Sequence, residues 1–308
     1  MVSTSPDIIR RRIDIDFSLE GKHRWTSEAA YFEDILNVVS YFFPIGEKYF
    51  ITSVQNYEDQ ITDPVLKQNV KDFIYQEAMH TKQHVRSNVV LDSIHSYGPA
   101  IEKISDFFLV KTRWLTPKAT QLAITCALEH FTALLANYLL RNMEDFNSES
   151  NESFGPLWAW HAVEETEHKG VCFDVYQNIF GNGVISYLHR VFVMMIVSLC
   201  FLTAVFVGLF MIRKGQRQAR KTQAAGKQLS SEEQVQPKVK KPYRQVWRLI
   251  RRSMNPELYF AYYRPSFHPW NHDNSHLIDD WKEAYPEFGT SPSSVNGETP
   301  VSSTTGHS

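Results

Sequence analysis

Residues 158–176, WAWHAVEETEHKGVCFDVY, are the stretch that decides the fold. The stretch has no proline and one glycine, Gly170, and it is predicted to form a single helix. His161, Glu165 and His168 are spaced i, i+4 and i+7, which places them on one face of that helix. Three side chains that can bind a metal ion therefore share a face, although an ordinary charged face turned to solvent is the alternative.

A second predicted helix carries a related pair, Glu77 and His80, at i and i+3. Pro64 predicts where this helix begins, because proline is favoured at the first helical position. The pair faces the same way as apolar residues one and two turns earlier, and His84 follows one turn later. A third Glu-x-x-His, in residues 20–23, lies in a polar loop and is set aside.

Each of these two helices is preceded by an apolar helix with a glutamate in its middle. Glu47 follows Pro44, at which we expect the first apolar helix to kink or break. Glu129 lies in a segment that is nearly continuously apolar through Leu140. A buried carboxylate without a partner is costly or takes up a proton. Glu129 is therefore expected to lie on the rim, to be protonated or to bind something, and Glu47 needs a partner unless it points outward beside Lys48.

The resulting order is Glu, Glu-x-x-His, Glu, Glu-x-x-His, with residues 95–117 as a longer crossover between the two halves. This order is the ligand scheme of ferritin-like bundles that hold two iron or two manganese ions. Four carboxylates in one core would repel each other, and two divalent cations would neutralise them. The sequence therefore predicts an all-α protein with a ferritin-like four-helix bundle over residues 27–186.

The chain has 308 residues, of which 43% are hydrophobic, and this is enough for one large or two modest globular units. Its net charge of -2 gives no indication of a nucleic-acid partner. Cys126, Cys172 and Cys200 are far apart and odd in number, so no disulfide framework is expected. The N-terminus lacks the apolar segment of a signal peptide, and residues 10–12, all arginine, are predicted to form a solvated cluster.

An uncharged stretch of 22 residues, 191–212, follows the bundle and is long enough to cross a hydrocarbon layer of about 30 Å. Basic residues follow at once, as on the cytoplasmic side of a membrane. Alternatives are a helix buried in the protein or in a homodimer. Crossing would separate the bundle from the basic tail. We therefore expect the helix to insert without crossing, or to pack in a dimer, with the catalytic bundle on the cytoplasmic side.

The boundaries of the segments outside the bundle are predicted from amino-acid composition. Residues 1–26 are predicted to be an irregular N-terminal segment, 187–213 the apolar helix, 214–242 a basic linker, 243–286 an aromatic-rich segment and 287–308 a disordered tail. The aromatic-rich segment has enough ligand-type side chains for a second metal site, although an irregular segment docked on the bundle is the expected alternative. These side chains are His268, His272, His276, Asp273, Asp279 and Asp280.

The chain resembles the predicted metal-dependent hydrolase family of bacterial proteins, a ferritin-like group, in the phrases FFPIGEKYF, FIYQEAMHTKQH, ALEHFTA and WHAVEETEHKGVCFDVY. The resemblance covers roughly residues 25–275. The spacing from His161 to His168 also resembles the di-iron arylamine N-oxygenases related to para-aminobenzoate N-oxygenase. That resemblance leaves His84 as an alternative ligand, or as a donor to a ligand carboxylate. It implies seven metal ligands, which are Glu47, Glu77, His80, Glu129, His161, Glu165 and His168.

The leading functional hypothesis is an oxygenase or oxidase that uses two iron ions, O2 and an electron donor on an apolar or lipid-like substrate. The alternative is a hydrolase in which two metal ions, manganese or zinc included, activate a water and Glu164 accepts its proton. A third hypothesis is a metal-binding protein without enzymatic activity. Iron with O2 consumption favours the first hypothesis, whereas zinc or redox-silent manganese favours the second.

Overall fold

The computed structural model describes residues 5–19, 24–26, 30–93, 96–226 and 255–288. The described residues form helices and irregular segments without a strand, so the predicted all-α class is confirmed. The helices are α1 (Ala30–Gln55), α2 (Pro64–Asp92), α3 (Gly98–Leu115), α4 (Lys118–Arg141), α5 (Met143–Glu149), α6 (Phe154–His168), α7 (Val171–Phe180), α8 (Val184–Gly226), α9 (Pro256–Ala261) and α10 (His276–Ala284).

Two helix pairs surround the middle of the molecule. α1 packs against α2, α4 packs against α6 and α7, and α3 makes the crossover between the two pairs. The predicted single helix over residues 158–176 is divided, since α6 ends at His168 and α7 begins at Val171. Trp270 packs so closely at the division that a Cβ on Gly170 would lie 3.0 Å from its ring. The interruption therefore makes room for a side chain from the C-terminal segment.

α1 passes through Pro44 as one continuous helix, so of the predicted kink or break the break is wrong. Proline lacks the N–H that would bond to the carbonyl oxygen four residues earlier, which belongs to Ser40. The side-chain amide of Asn88, on α2, donates to that oxygen at 3.0 Å. The helix continues because a neighbouring helix supplies the missing donor.

α8 is longer than predicted, since its helical conformation continues through the first part of the basic linker to Gly226. Its inner face packs on α4 and α1, so closely that a Cβ on Gly208 would lie 2.7 Å from Val38. α4 and α8 are both apolar enough to cross a membrane by composition. In α4, however, 67% of the apolar stretch is buried in the protein, against 39% in α8. α4 is therefore a core helix, and α8 lies at the surface of the bundle.

The C-terminal segment docks on the bundle around Lys169. The Lys169 ammonium donates to the carbonyl oxygen of His272 at 2.8 Å and lies 3.8 Å from the centre of the Trp270 ring. His268 pairs with Asp174 of α7 at 2.8 Å. No group of close ligand atoms in the described residues includes a histidine or aspartate of this segment, which favours the docked segment over a second metal site. Residues 227–254 and 289–308, with the rest of the predicted linker and tail, lie outside the described residues.

Candidate metal centre

Four helices bring the seven predicted ligands together in the middle of the bundle. Every one of these residues is at most 3% exposed, although four of them are carboxylates. The helical spacings predicted from the sequence account for this convergence, because each Glu-x-x-His presents both side chains on one face. α1 supplies Glu47, α2 supplies Glu77 and His80, α4 supplies Glu129, and α6 supplies His161, Glu165 and His168.

The donor atoms of these side chains fall into overlapping groups, in each of which all atoms lie within 4.8 Å of one another. Two glutamates belong to groups on both sides of the cluster, which is the position expected of carboxylates that bridge two ions. These two are Glu77 and Glu165. One side of the cluster has the group Glu77, Glu129, Glu165 and His168. The other side has three overlapping groups, which are Glu47, Glu77 and His80; His80, His161 and Glu165; and Glu47, His84 and His161, so His84 also lies within reach of a shared ion.

Polar atoms that the protein itself leaves unsatisfied test whether a cation fits here. Eight buried side-chain atoms, from six of the seven residues, have no hydrogen-bond partner in the described part of the chain. They include both oxygens of Glu77, both oxygens of Glu129 and the Nδ1 atom of His80. Burying carboxylates without partners is strongly unfavourable, whereas a cation pairs with all of them at once. Carboxylates with imidazoles suit iron, manganese or zinc, so the residues fit two such ions.

The ring nitrogen of His168 that faces away from the cluster forms a hydrogen bond with a glutamine. The side-chain NH2 of Gln76 donates to Glu167 at 2.8 Å, so its oxygen is the acceptor and lies 2.8 Å from Nδ1 of His168. Nδ1 therefore carries the proton. The lone pair of Nε2 is turned to the cluster, 3.1 Å from Glu77 and 3.5 Å from Glu129. This orientation is that of a metal-binding imidazole with a fixed tautomer.

His80 is oriented in the same way by a carboxylate. Its Nε2 lies 3.1 Å from Glu164, and its Nδ1 faces the cluster at 3.7 Å from Glu165. The imidazole of His80 thus stands between Glu164 and the ligand carboxylates. Glu164, expected to accept a proton from a metal-bound water, lies on the far side of His80 from the cluster and pairs with its outer nitrogen. A carboxylate in this position raises the basicity of the imidazole.

Arg11 neutralises the carboxylates behind the histidines. Its guanidinium is 1% exposed, lies 2.6 Å from Glu167 and 3.3 Å from Glu164, and also faces the ring of Trp281. The prediction of a solvated cluster at residues 10–12 is therefore wrong for Arg11. Two buried carboxylates on the outer side of α6 require a cation. The N-terminal segment supplies it across more than 150 residues of sequence.

The third imidazole, His161, ends a relay of hydrogen bonds that begins at Asn88. The Ser40 hydroxyl donates to the Asn88 side-chain oxygen at 2.7 Å and accepts from Nδ1 of His84 at 2.9 Å. Nε2 of His84 is then an acceptor, and it receives the Nδ1 proton of His161 at 2.8 Å. Burial, and then His161, lower the pKa of His84 well below its usual range, in agreement with a neutral ring. His84 therefore bonds to a ligand histidine rather than to a ligand carboxylate.

The relay leaves the lone pair of Nε2 of His161 turned to the cluster, 2.9 Å from an oxygen of Glu165. Two acceptors at this distance need a proton or a cation with them. All three imidazoles of the cluster thus have an outer N–H fixed by the protein and an inner nitrogen aimed at carboxylates. Residues 9–273 match the family described as "Predicted metal-dependent hydrolase". The chain belongs to this family.

Family membership and the buried donor groups together support metal binding. No curated protein and no solved structure matches the chain significantly. The family match begins before Arg11 and extends to residue 273, so it includes the segment that docks on Lys169.

Protons would compete with metal ions for these buried side chains. Burial, and then the charge of Glu77, raise the pKa of Glu47 well above its usual range. Burial raises the pKa of Glu77 to about 7. Burial by itself would lower the pKa of His168, but Glu165 and Glu77 outweigh it and hold that pKa well above its usual range. Metal binding must displace these protons.

Several residues that support the ligands have no signal in their immediate sequence. Arg11 and Ser40 are examples, since each meets its partner through packing of distant segments. Another is Thr81, which donates to Glu47 at 2.7 Å and leaves the other oxygen of that carboxylate for the cluster. The composition of α6 did contain a signal for a buried cation such as Arg11. Glu164 and Glu167 lie off the ligand face of an otherwise apolar helix and therefore require partners.

Proposed function

We propose that the chain is a hydrolase that cleaves an ester or amide at a centre of two divalent metal ions. The observation that carries the proposal is the set of unsatisfied donor atoms, arranged in overlapping groups in which Glu77 and Glu165 each belong to two. Membership of the predicted metal-dependent hydrolase family supports it independently. When bound, the two ions would polarise the substrate carbonyl and lower the pKa of a water.

The protein's own residues define the two ion positions. Glu47, His80 and His161 would hold one ion, Glu129 and His168 would hold the other, and the two shared glutamates would join them. The outer partners of the imidazoles keep their lone pairs aimed inward, so little reorganisation is needed on binding.

Glu129 is the residue that we assign to proton transfer. Neither of its oxygens has a hydrogen-bond partner among the described residues, and Oε2 lies 3.5 Å from Nε2 of His168, so one oxygen would accept a proton while the other holds an ion. Glu129 also lines a small space of about 10 Å³ with His130 and Lys169, close to the volume that one water requires. An attacking water in this region would give its proton to Glu129, which would pass it to the leaving group.

Oxidation by two iron ions is the competing function, because the four glutamates and two Glu-x-x-His pairs match the ligand scheme of di-iron bundles. The two functions differ in what they consume. Hydrolysis consumes water and proceeds with zinc or manganese in the absence of O2, whereas the oxidative reaction needs iron, O2 and an electron donor.

The test is hydrolysis of chromogenic acetate esters and anilides by protein loaded with zinc, manganese or iron under nitrogen. We expect metal-dependent hydrolysis that Glu129→Gln and His168→Ala each abolish. Glu33→Gln is the matched control, because Glu33 is an equally buried glutamate that pairs with Arg24 instead. O2 consumption by the iron-loaded protein, without hydrolysis under any condition, would contradict the proposal and favour oxidation.

A membrane surface is the proposed location of the enzyme. The outer face of α8 exposes large apolar side chains along its length, among them Ile185, Leu199 and Phe210. α3, which packs beside α8, adds Trp114 and Leu115, which are 85% and 80% exposed. Apolar surfaces of this extent mark interaction sites, and the basic residues that follow the apolar stretch suit anionic lipid headgroups.

The packing of α8 supports insertion without crossing. Its inner face is buried against α4 and α1 as far as Ile212, so α8 cannot enter a bilayer separately from the bundle. Crossing would carry the charged outer face of α2, with Lys71 and Lys82, into hydrocarbon. Flotation with vesicles of phosphatidylcholine and phosphatidylglycerol tests this location. We expect the double variant Trp114→Glu/Leu115→Glu to lose flotation. A wild-type protein that forms a soluble dimer and does not bind vesicles would contradict the proposed location.

A further inference from the structure

A large cavity lies beside the metal centre, between α1, α3, α4 and α8. Its volume is about 460 Å³, which is within the usual range for small-molecule sites. The walls are almost entirely apolar and include Val39, Phe42, Ile124, Leu128 and Phe201. The size and apolar lining of this space make it a candidate site for an apolar small molecule. We call it the apolar chamber.

The apolar chamber is long and narrow. Its lining residues extend from Ile35 to Phe50 on α1 and from His189 to Val205 on α8. At about 1.5 Å per residue, these spans correspond to roughly 22–24 Å. A space of this length and volume between parallel helix walls suits a single extended aliphatic chain better than a compact ring system.

The apolar chamber opens on the surface proposed to meet the membrane. Phe192 and Ile196 line it and are also 58% and 47% exposed on the outer face of α8. Leu109, on α3, lines the chamber from the other side. A hydrocarbon chain that leaves a bilayer here would pass directly into the chamber, without exposing its length to water.

A phenylalanine contacts both the apolar chamber and the metal centre. Phe43 lines the chamber, and its ring stacks on that of His161 with 4.5 Å between centroids. The same ring is 4.7 Å from that of His84. Gly46 also lines the chamber and immediately precedes Glu47 in α1. A chain bound in the chamber therefore lies alongside the ligands, with Phe43 between them.

We propose that the apolar chamber binds the aliphatic chain of a lipid-like ester or amide, whose carbonyl group reaches the metal centre past Phe43. The substrate class rests on the proposed hydrolase function, whereas binding of the chain does not. In the reaction, the water oxygen bonds to the carbonyl carbon as the bond to the leaving oxygen or nitrogen breaks. The proton of the water ends on the leaving group. The length of the substrate's aliphatic chain thus determines which esters or amides are held near the metal centre.

The test measures displacement of cis-parinaric acid, a fluorescent fatty acid, by octanoic, dodecanoic and hexadecanoic acids. Gly46→Leu fills the chamber, and the position tolerates a side chain because an added Cβ would meet only the Phe50 ring, at 3.9 Å. Cys200→Phe fills it from α8 and serves as a second variant. Val65→Phe, at a site on α2 that is 67% exposed, is the control for added bulk.

We expect hexadecanoic acid to bind about tenfold more weakly in both chamber variants, and the affinity for octanoic acid to change less than about twofold. Val65→Phe leaves all affinities unchanged. Failure of the wild-type protein to bind cis-parinaric acid would overturn the proposal. Unchanged affinity for hexadecanoic acid in both chamber variants would also overturn it.

Hydrolysis of a water-soluble acetate ester separates failure of this proposal from failure of the proposed function. Ester hydrolysis without fatty-acid binding would overturn the proposal that the apolar chamber binds an aliphatic chain, and it would support the proposed hydrolase function. Fatty-acid binding that the chamber variants weaken supports the chamber, even if no metal-loaded form hydrolyses any ester.

Discussion

The side-chain amide of Asn88 donates to the carbonyl oxygen of Ser40 at 3.0 Å, and this is the carbonyl that Pro44 leaves without its helical donor. The Ser40 hydroxyl in turn donates to the Asn88 side-chain oxygen at 2.7 Å. The same pair begins the relay that fixes the tautomer of His161. An interruption in the hydrogen bonding of α1 is therefore coupled to the orientation of a metal ligand two helices away.

Asn88→Ala should destabilise the protein by about 1–3 kcal/mol, because it leaves the buried Ser40 carbonyl unsatisfied. In a Pro44→Ala background the cost should be smaller, since residue 44 then has an N–H for that carbonyl. Chemical denaturation of the two single variants and the double variant measures the coupling. Equal costs of Asn88→Ala in both backgrounds would mean that the amide does not compensate for Pro44.

Ser40→Ala should weaken metal binding at the ion position that includes His161. The substitution removes the partner that fixes the proton of His84 on Nδ1, so His161 loses its preferred tautomer. Loss of such an outer partner typically lowers metal affinity about 10–100-fold. Competition with a chelator measures the effect. Ser53→Ala is the matched control, because Ser53 is an equally buried serine that bonds to Thr125 instead, and equal affinities in the two variants would contradict the relay.

Gly208→Ala should destabilise the protein, although alanine favours helices. The added Cβ would lie 2.7 Å from Val38, and overpacking of this kind costs about 1–3 kcal/mol. Gly46→Ala, where an added Cβ would make only an ordinary contact with the Phe50 ring at 3.9 Å, should instead stabilise by about 0.5–1 kcal/mol through helix propensity. Thermal unfolding of both variants tests whether α8 is part of the bundle. A Gly208→Ala protein as stable as the wild type would show that α8 packs loosely.

Metal affinity should rise steeply as the pH increases through about 7. Burial raises the pKa of Glu77 to about 7 and that of Glu47 further, so both carry protons at lower pH. His168 must also lose a proton before its inner nitrogen can bind, because its pKa is raised. All three groups therefore release protons on metal binding, and affinity falls as the pH falls. Calorimetry in buffers of different ionisation enthalpy counts these protons, and a pH-independent affinity would contradict the assignment.

The sequence was sufficient to predict the all-α class and the residues that converge, because both depend on helical periodicity. Glu165 and His168 share a face at any i, i+3 spacing, whatever the rest of the fold does. The orientation of each imidazole was not predictable in this way. It depends on Gln76 and Ser40, which reach the histidines only after separate helices pack together.

The incorrect predictions share a physical cause, which is compensation by distant residues. Proline usually ends or kinks a helix. α1 continues through Pro44 because Asn88 supplies the hydrogen-bond donor that the Ser40 carbonyl lacks. Arginines near a chain end are usually solvated, but Arg11 is buried because Glu164 and Glu167 need a cation. At the division of α6 from α7, Gly170 packs against Trp270, about one hundred residues later in the chain.

The metal content of the purified protein tests the central claim most directly. Protein produced in cells supplied with iron, manganese and zinc together should contain about two metal ions per chain, as two Glu-x-x-His helices with two further glutamates require. Glu129→Ala and His168→Ala should each lower that content, whereas Glu33→Gln should leave it unchanged. Wild-type protein without stoichiometric metal, or variants with undiminished content, would contradict the metal centre described for these helices.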